Sequence, residues 1–366
     1  MSEELQPHKR RVRYHGKNPR KFEERYKEHN PDKYAGDVQH ILSKGQTPAG
    51  MHRPICVQEI LAILEPKPGE VFLDATLGYG GHSQQLMAPL LPGGMLFAVD
   101  VDGQELARAE ARMRGLGFGE DTFVASQMNF CEMRGLLADA GGGFDGILAD
   151  LGVSSMQLDN PARGFSYKSD GPLDLRLNPD TGRSASQLLR SLSVDKLESI
   201  LLENADEPLA GPIARSIKVG FLPVETTAGL VEAVRVGLRR AGLKLPESDV
   251  KKCIQRTFMA LRIAVNEEFR VLDRFLQVLP SCLKPGGRVA VLSFHSGEDR
   301  RVKKSFAWGL EMGIYASVAP TPLRPSAAEQ GANPRSSCAK LRWAVRSEKP
   351  LGAACLDSRG DLRSCQ

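Results

Sequence analysis

Short apolar runs that close on a polar or acidic residue recur through the first half of the chain. Val71–Thr76 (VFLDAT), Met95–Val99 followed by Asp100, Thr122–Ala125 and Phe144–Ala149 (FDGILA) followed by Asp150 have the length and content of buried parallel strands. Between them lie helical stretches. Ser83–Leu91 follows a Gly78–Gly81 loop, with Ser83 placed to cap it, and Glu105–Leu116 is rich in Ala, Arg and Glu. Alternating strands and helices predict a parallel, doubly wound α/β sheet. From about 165 to 255 the period changes. SASQLLRSL, VDKLESILLENA and TAGLVEAVRVGLRRAG repeat apolar residues at helical spacing, with no clear strand among them. The strand pattern returns after a helix at Asn266–Leu283, stopped by KPGG, with Arg288–Phe294 (RVAVLSF). The expectation is a Rossmann-like sheet interrupted by a helical insertion. Residues 1–50 form a basic extension with one short helix near Phe22–Tyr34. Residues 51–164 form the cofactor-binding α/β part, 165–255 a helical insertion for substrate recognition, 256–347 the return to the α/β core, and 348–366 a disordered tail.

Composition narrows the class. The 366 residues are 41% hydrophobic and 25% charged, ordinary for a globular chain, and no apolar run is long enough to span a membrane. The opening MSEELQPHKRR has no apolar segment of the kind a signal peptide needs. The seven cysteines, an odd number, contain no CxxC pair, so neither a disulfide framework nor a metal site is expected. Net charge is +5, and its distribution matters more than its size. Nine Lys and Arg fall between Lys9 and Lys27, interleaved with Tyr14, Phe22 and Tyr26, a pattern suited either to nucleic acid or to a solvated tail.

The first strand–helix turn reads Asp74-Ala-Thr-Leu-Gly78-Tyr-Gly80-Gly81-His82. Its glycines allow a ligand close to the backbone, and Asp100 ends the next strand at the distance expected of a ribose-binding carboxylate. The third glycine of a dinucleotide fingerprint is absent, which disfavours a nicotinamide dehydrogenase. No Lys-Ser/Thr follows, which excludes a P-loop. S-adenosylmethionine, with no pyrophosphate to cradle, fits better. Asp150 ends the fourth strand beside this loop, in the crevice where open α/β sheets bind ligands.

Four longer segments, DLGVSSMQLD (150–159), RGFSYKSDGPLDLR (163–176), RTFMALRIAVNEE (256–268) and SFHSGEDRRVKK (293–304), resemble the ribosomal RNA small subunit methyltransferase H family, from about His52 to Val345. The basic extension resembles the longer branch, chloroplast-type or a bacterial variant. The resemblance implies a class I methyltransferase that uses S-adenosylmethionine to methylate the N4 amine of a cytidine in small-subunit ribosomal RNA. It implies cofactor contacts at Gly80, Gly81, His82, Asp100, Phe130, Asp150 and Gln157, with Phe130 near the adenine. Catalytic candidates are Asp150 and His295. For Asp150, an acceptor for the amine hydrogens and an anchor for the methionine ammonium both stay open; for His295, so do a catalytic or RNA-contact role and a turn-organising one. Candidate RNA contacts are Arg256, Arg262, Arg300, Arg301, Lys303 and Lys304. Cys131, beside Phe130, reads as a core thiol rather than a nucleophile for ring methylation. The partner would be the ribosomal RNA or the assembled small subunit, with a homodimer among the possible states. The compartment would be the cytoplasm, or an organelle in a eukaryote. The chain departs from the family at Asn204-Ala-Asp-Glu-Pro208, where a Tyr-Gly-Glu-Glu-like segment is usual, and at Gly297, where Leu is usual. The competing reading is an RNA-binding assembly factor that keeps the fold without the reaction.

Overall fold

The computed structural model describes residues 54–220 and 223–350. The basic extension with its expected helix at Phe22–Tyr34, and nearly all of the expected tail, lie outside the described residues.

Seven strands form one sheet: β1 (Val71–Asp74), β2 (Met95–Asp100), β3 (Phe123–Gln127), β4 (Phe144–Asp150), β5 (Leu283–Ser293), β6 (Tyr315–Val318) and β7 (Lys340–Arg346). Their spatial order is β3-β2-β1-β4-β5-β7-β6. The first five are parallel, and β7 pairs antiparallel with both β5 and β6. This is the interrupted Rossmann-like sheet that the alternating pattern predicts, plus an antiparallel edge that the pattern did not reveal. β6 and β7 carry mixed residues (YASV, KLRWAVR) and lack the long apolar runs of doubly covered strands.

Boundaries differ where local chemistry overrides periodicity. The helix α2 (Gly81–Leu90) begins at Gly81, capped by Gly80 in the left-handed region, so Ser83 is not its cap. The Ser83 hydroxyl instead donates to Asp74 Oδ2 at 2.6 Å. The helix expected at Asn266–Leu283 is α10 (Glu268–Cys282), set off from the preceding α9 (Glu247–Asn266) by Glu267, whose φ is 50°. The KPGG segment does stop α10, but it is drawn into β5, where the register against β4 skips between Phe144 and Gly146.

Two cores cover the sheet. One packs Leu73, Val99, Ile147 and Val291 against Phe275 and Leu279 of α10 and Phe306 of α11 (Ser296–Glu311). The other packs Phe72, Leu96, Leu148 and Leu292 against Ile60 of α1 (Val57–Leu64), Leu86 of α2 and Met113 of α3 (Gly103–Gly115). The insertion has a core of its own, from Phe165 through Leu197, Leu201 and Leu230 to Phe258 and Leu261. The boundary drawn at 255 therefore falls inside α9, because one amphipathic helix serves the insertion with Ile254, Phe258 and Leu261 and then leads back to the sheet.

Candidate functional site

The carboxyl ends of β1, β2 and β4 hold three acids, and each is fixed by a different local device. Asp74 ends β1 and is 1% exposed; besides Ser83 it accepts the Thr76 N–H at 3.1 Å. Burial pushes its carboxyl up, against those two hydrogen bonds. Asp100 ends β2. One oxygen accepts the Gly78 N–H at 2.8 Å and the other the Asp102 N–H at 2.9 Å. Burial pushes Asp100 up to about 6, helped by the neighbouring Asp102 and Asp74 charges and opposed by the two N–H donors. Asp150 ends β4. Its N–H donates to Thr76 Oγ1 at 2.7 Å, and its Oδ2 lies 3.5 Å from His82 Nε2. Its Oδ1 is buried and has no hydrogen-bond partner among the described residues.

The glycine loop joins these acids. Gly80 sits at φ 76°, a backbone that a side chain would strain. At Gly81 a Cβ would come 2.7 Å from Pro54 Cγ, so that position has no room for one. Arg112, on α3, ties the loop down by donating to the Gly80 carbonyl at 3.1 Å and to Gln84 Oε1 at 3.0 Å, with its guanidinium over the Tyr79 ring. Neither Thr76 nor Arg112 was singled out from the sequence. Nothing in the residue pattern marks an arginine 32 positions downstream as a clamp on this loop.

Gln157 lies in this neighbourhood with both ends of its amide in use. Its Oε1 accepts the Ser154 N–H in a capping box of the helix α4 (Ser155–Asp159), and its Nε2 donates to Asp102 Oδ2 at 2.9 Å. Asp102 is 0% exposed and caps α3 by accepting from the Gln104 and Glu105 N–H groups. The sequence carries a signal for this cap: Asp102 followed three residues later by Glu105 is a helix-start signature. Phe130 opens a 3-10 turn after β3 and stands edge-on to Phe275 at 5.2 Å. The neighbouring Cys131 is half-buried in the same core, and burial, with Glu132 beside it, pushes its thiol above the ordinary range. A thiol held protonated is a poor nucleophile.

The second group of expected residues gathers around the start of α11 and the end of α9. His295 Nε2 lies 3.1 Å from Glu298 Oε1, and Glu298 Oε2 accepts the Phe294 N–H at 2.8 Å. Burial alone would push the Glu298 carboxyl up; the His295 imidazole, the Arg262 charge and the Phe294 N–H outweigh it and hold the carboxyl below its usual range. Arg262 grips Glu268 with two hydrogen bonds of 2.8 Å. Glu268, His295 and Glu298 bring ligand-type atoms within 4.8 Å of one another, with Glu268 already matched by this guanidinium. Phe294 lies against the turn that follows Asp150, since a Cβ on Gly152 would meet its ring at 3.7 Å. The two groups are thus neighbours.

The six expected RNA contacts separate by how they are held. Arg262 is committed to Glu268. Arg301 lies 3.7 Å over the Phe269 ring and reaches Asp273. Arg300 is exposed and reaches the exposed Asp206 only at 3.7 Å, while the half-buried Arg256 reaches the fully buried Glu207 at 3.6 Å. Lys303 and Lys304 are exposed on α11. The variant segment Asn204–Pro208 therefore lies between two of the candidate cations. Gly297 also acquires a reason: a Cβ there would come 2.5 Å from Phe269 Cζ, so the ring that supports Arg301 and His295 occupies the room a larger residue would take.

The model of the MraW methylase family matches residues 49–347. The chain is 49% identical over 351 residues to ribosomal RNA small subunit methyltransferase H 2 of Alkaliphilus metalliredigens, covering 95% of this chain and 100% of that one. It is 50% identical to ribosomal RNA small subunit methyltransferase H 1 of Agathobacter rectalis, with the same coverage, and 38% identical to the H protein of Halorhodospira halophila over 83% of this chain and 97% of the other. Most of residues 1–50 fall inside the first two alignments, which cover 95% of this chain. Among solved structures, a methyltransferase homolog from Pyrococcus horikoshii is similar at 14% identity and TM-score 0.38, covering 81% of this chain and 67% of that one.

Proposed function

The chain belongs to the MraW methylase family, and on that premise we propose that it uses S-adenosylmethionine to methylate the N4 amine of a cytidine in small-subunit (16S-type) ribosomal RNA. The observation that carries this reading is Asp150 Oδ1, a buried acceptor without a partner at a strand end between the glycine loop and the Phe294 turn. A buried carboxylate oxygen in that state calls for a hydrogen-bond donor, and the amine of a bound ligand can supply one.

The residues present fit the cofactor. Gly80 and Gly81 leave the loop backbone bare, Asp100 offers a carboxylate where ribose hydroxyls can donate, and the Phe130 ring offers an apolar edge for adenine. Gln157 acts through Asp102, keeping the β2–α3 turn in shape. S-adenosylmethionine supplies an electrophilic methyl group on a sulfonium that leaves as a neutral thioether. The protein must then present a nucleophile. The exocyclic N4 is poor because its lone pair is delocalised into the ring, and an acceptor for its hydrogens localises that pair. Asp150 Oδ1 plays that role in our reading, with His82 Nε2 standing 3.5 Å from Oδ2. As the N–C bond forms and the C–S bond breaks, the amine loses one proton to water. The target base must be unpaired or turned out of a helix to reach this crevice.

His295 is a positioning and RNA-side residue in this scheme, its Nε2 held by Glu298. Arg256, Arg300, Lys303 and Lys304 supply phosphate contacts, because loosely paired or exposed cations exchange partners at least cost. Arg262 and Arg301 shape the surface instead. The partner in this reading is ribosomal RNA, bare or in the assembled small subunit, and we place the reaction in the cytoplasm, the relatives being bacterial proteins. Among the described residues no helix is long and apolar enough to cross a membrane.

The deciding experiment offers the purified protein labelled S-adenosylmethionine with unmethylated small subunits or their RNA, then digests the RNA to nucleosides. The expected product is N4-methylcytidine. A ring-methylated product would refute the N4 assignment, and cofactor binding without transfer to either substrate would favour the assembly-factor reading.

A further inference from the structure

We propose that Arg163 is a positioning residue that couples occupancy of the cofactor pocket to binding of RNA on the helical insertion. The proposal rests on the cofactor and RNA assignments above and adds the physical link between them.

Arg163 stands where the two regions meet. One arm of its guanidinium donates to Asp102 Oδ2 at 2.7 Å, and the side chains are 12% and 0% exposed. The other arm donates to two successive carbonyls, Arg176 at 3.0 Å and Leu177 at 2.8 Å. On the cofactor side the chain of contacts is short: the Asp102 N–H donates to Asp100, the ribose acid of our reading. On the insertion side the carbonyls belong to a loop that Asn266 grips from behind. Asn266 Oδ1 accepts the Leu177 N–H at 2.7 Å, and its Nδ2 donates to the Leu175 and Arg262 carbonyls, both at 2.8 Å. Arg262 in turn binds Glu268, beside His295 and Glu298.

The loop between them is strained. Leu175 is buried and has φ 64°, the left-handed region in which a side chain is strained. Its N–H donates to the Arg163 carbonyl at 3.2 Å, so Arg163 and Asn266 hold it from both sides. A strained backbone persists only when its surroundings over-determine it, and such places accompany functional constraints. The buried Asp102 charge likewise needs its partner in place. A ligand that settles the Asp100–Asp102 turn thereby settles the Arg163 fork, the 175–177 loop and the end of α9. By linkage, RNA bound at that end must tighten the cofactor by the same factor.

The test isolates the fork. Arg163→Lys keeps a cation for Asp102 but cannot reach Asp102 and both carbonyls together. The affinity for S-adenosylhomocysteine is measured by calorimetry with and without unmethylated small-subunit RNA. In the unchanged protein RNA should tighten that binding by at least about fivefold. In R163K the tightening should shrink to within about twofold, with RNA-free affinity changed by less than about threefold. If R163K proves unstable, Asn266→Ala, at the far end of the link, should show the same loss. Absence of coupling in the unchanged protein, or coupling that survives in the variant measured, overturns the proposal while leaving methyl transfer intact. Failure of the unchanged protein to bind S-adenosylhomocysteine at all would sink the methyltransferase reading and this link with it.

Discussion

At the carboxyl ends of β1, β2 and β4 the carboxylates are held by short, specific bonds, Asp74 by Ser83, Asp100 by two N–H groups and Asp102 by Gln157 and Arg163. On the insertion side, Arg256 and Arg300 reach their acids only at 3.6 and 3.7 Å, and Lys303 and Lys304 stand exposed. The difference matches two kinds of ligand. A small cofactor must be held rigidly for an in-line displacement, so the groups that meet it are set before it arrives. A ribosomal RNA is large and held by many phosphates, so loosely committed cations suffice. Within the rigid end Asp150 Oδ1 is buried without a hydrogen-bond partner among the described residues, as is His82 Nε2 beside it, and in our reading that oxygen is where the target amine is met.

The comparison is broken most directly at Asp150. Asp150→Asn keeps the shape and removes the charge that draws on the amine hydrogens. The turnover rate should fall by about a thousandfold, the size seen when one preorganised transition-state contact is lost. Cofactor affinity should stay within about threefold. A large loss of cofactor affinity with turnover preserved at saturation would reassign Asp150 to the methionine ammonium.

The separateness of the two regions is tested by Leu201→Ala in α6 (Val194–Ala205), where Leu201 is 0% exposed in the insertion's own core. The truncation should cost roughly 2–5 kcal/mol of stability, read by denaturant unfolding. RNA-free cofactor affinity should remain unchanged below the transition. A parallel loss of cofactor binding would show that the two regions fold as one unit.

Legibility followed the same division. The sheet was readable because buried parallel strands are continuous apolar runs, and Asp74, Asp100 and Asp150 were readable because each closes one. The edge strands β6 and β7 lacked that signature. Arg112 and Arg163 were invisible because their partners lie on other elements: Gly80 is 32 residues from Arg112, and Asp102 is 61 residues from Arg163. The roles at His295–Lys304 came from family resemblance, and the geometry then divides them, committing Arg262 and Arg301 and leaving the other cations available.

Asp100 sharpens the rigid side through pH. Its carboxyl is raised to about 6 in the cofactor-free fold, so the neutral form is favoured there. That contribution to stability is present below the unfolded value and lost as pH rises through about 6. Ribose hydroxyls donate to the ionised form, so binding has the opposite sign. Affinity for S-adenosylhomocysteine should be full above pH 7 and about tenfold weaker at pH 5, since each unit below the pKa costs up to a factor of ten. Asp100→Asn should weaken binding by about 10–100-fold at pH 7.5, the worth of hydrogen bonds to a charged group, and should flatten this pH profile. A profile that survives in D100N would place the titrating group elsewhere.

The smallest effects belong to the loosely held cations, and they test the other half of the comparison. Arg256→Ala removes a half-buried guanidinium and Arg300→Ala an exposed one, each in a long pairing, with Glu207 and Asp206 respectively. The exposed Arg300–Asp206 pair contributes little to stability, about 0–1 kcal/mol, so R300A should melt near the unchanged protein; Glu207 is fully buried, so R256A leaves its charge without a cation and should melt lower. Each should weaken RNA binding by a few fold and lower the steepness of its salt dependence by about one phosphate contact, with cofactor affinity untouched. Filter binding across a salt series reads both quantities at once. If the RNA affinity drops but the salt slope holds, the two arginines meet bases rather than phosphates. If neither moves, the RNA path avoids the Asn204–Pro208 segment, and the contrast between a rigid cofactor end and an exchangeable RNA end loses its second term.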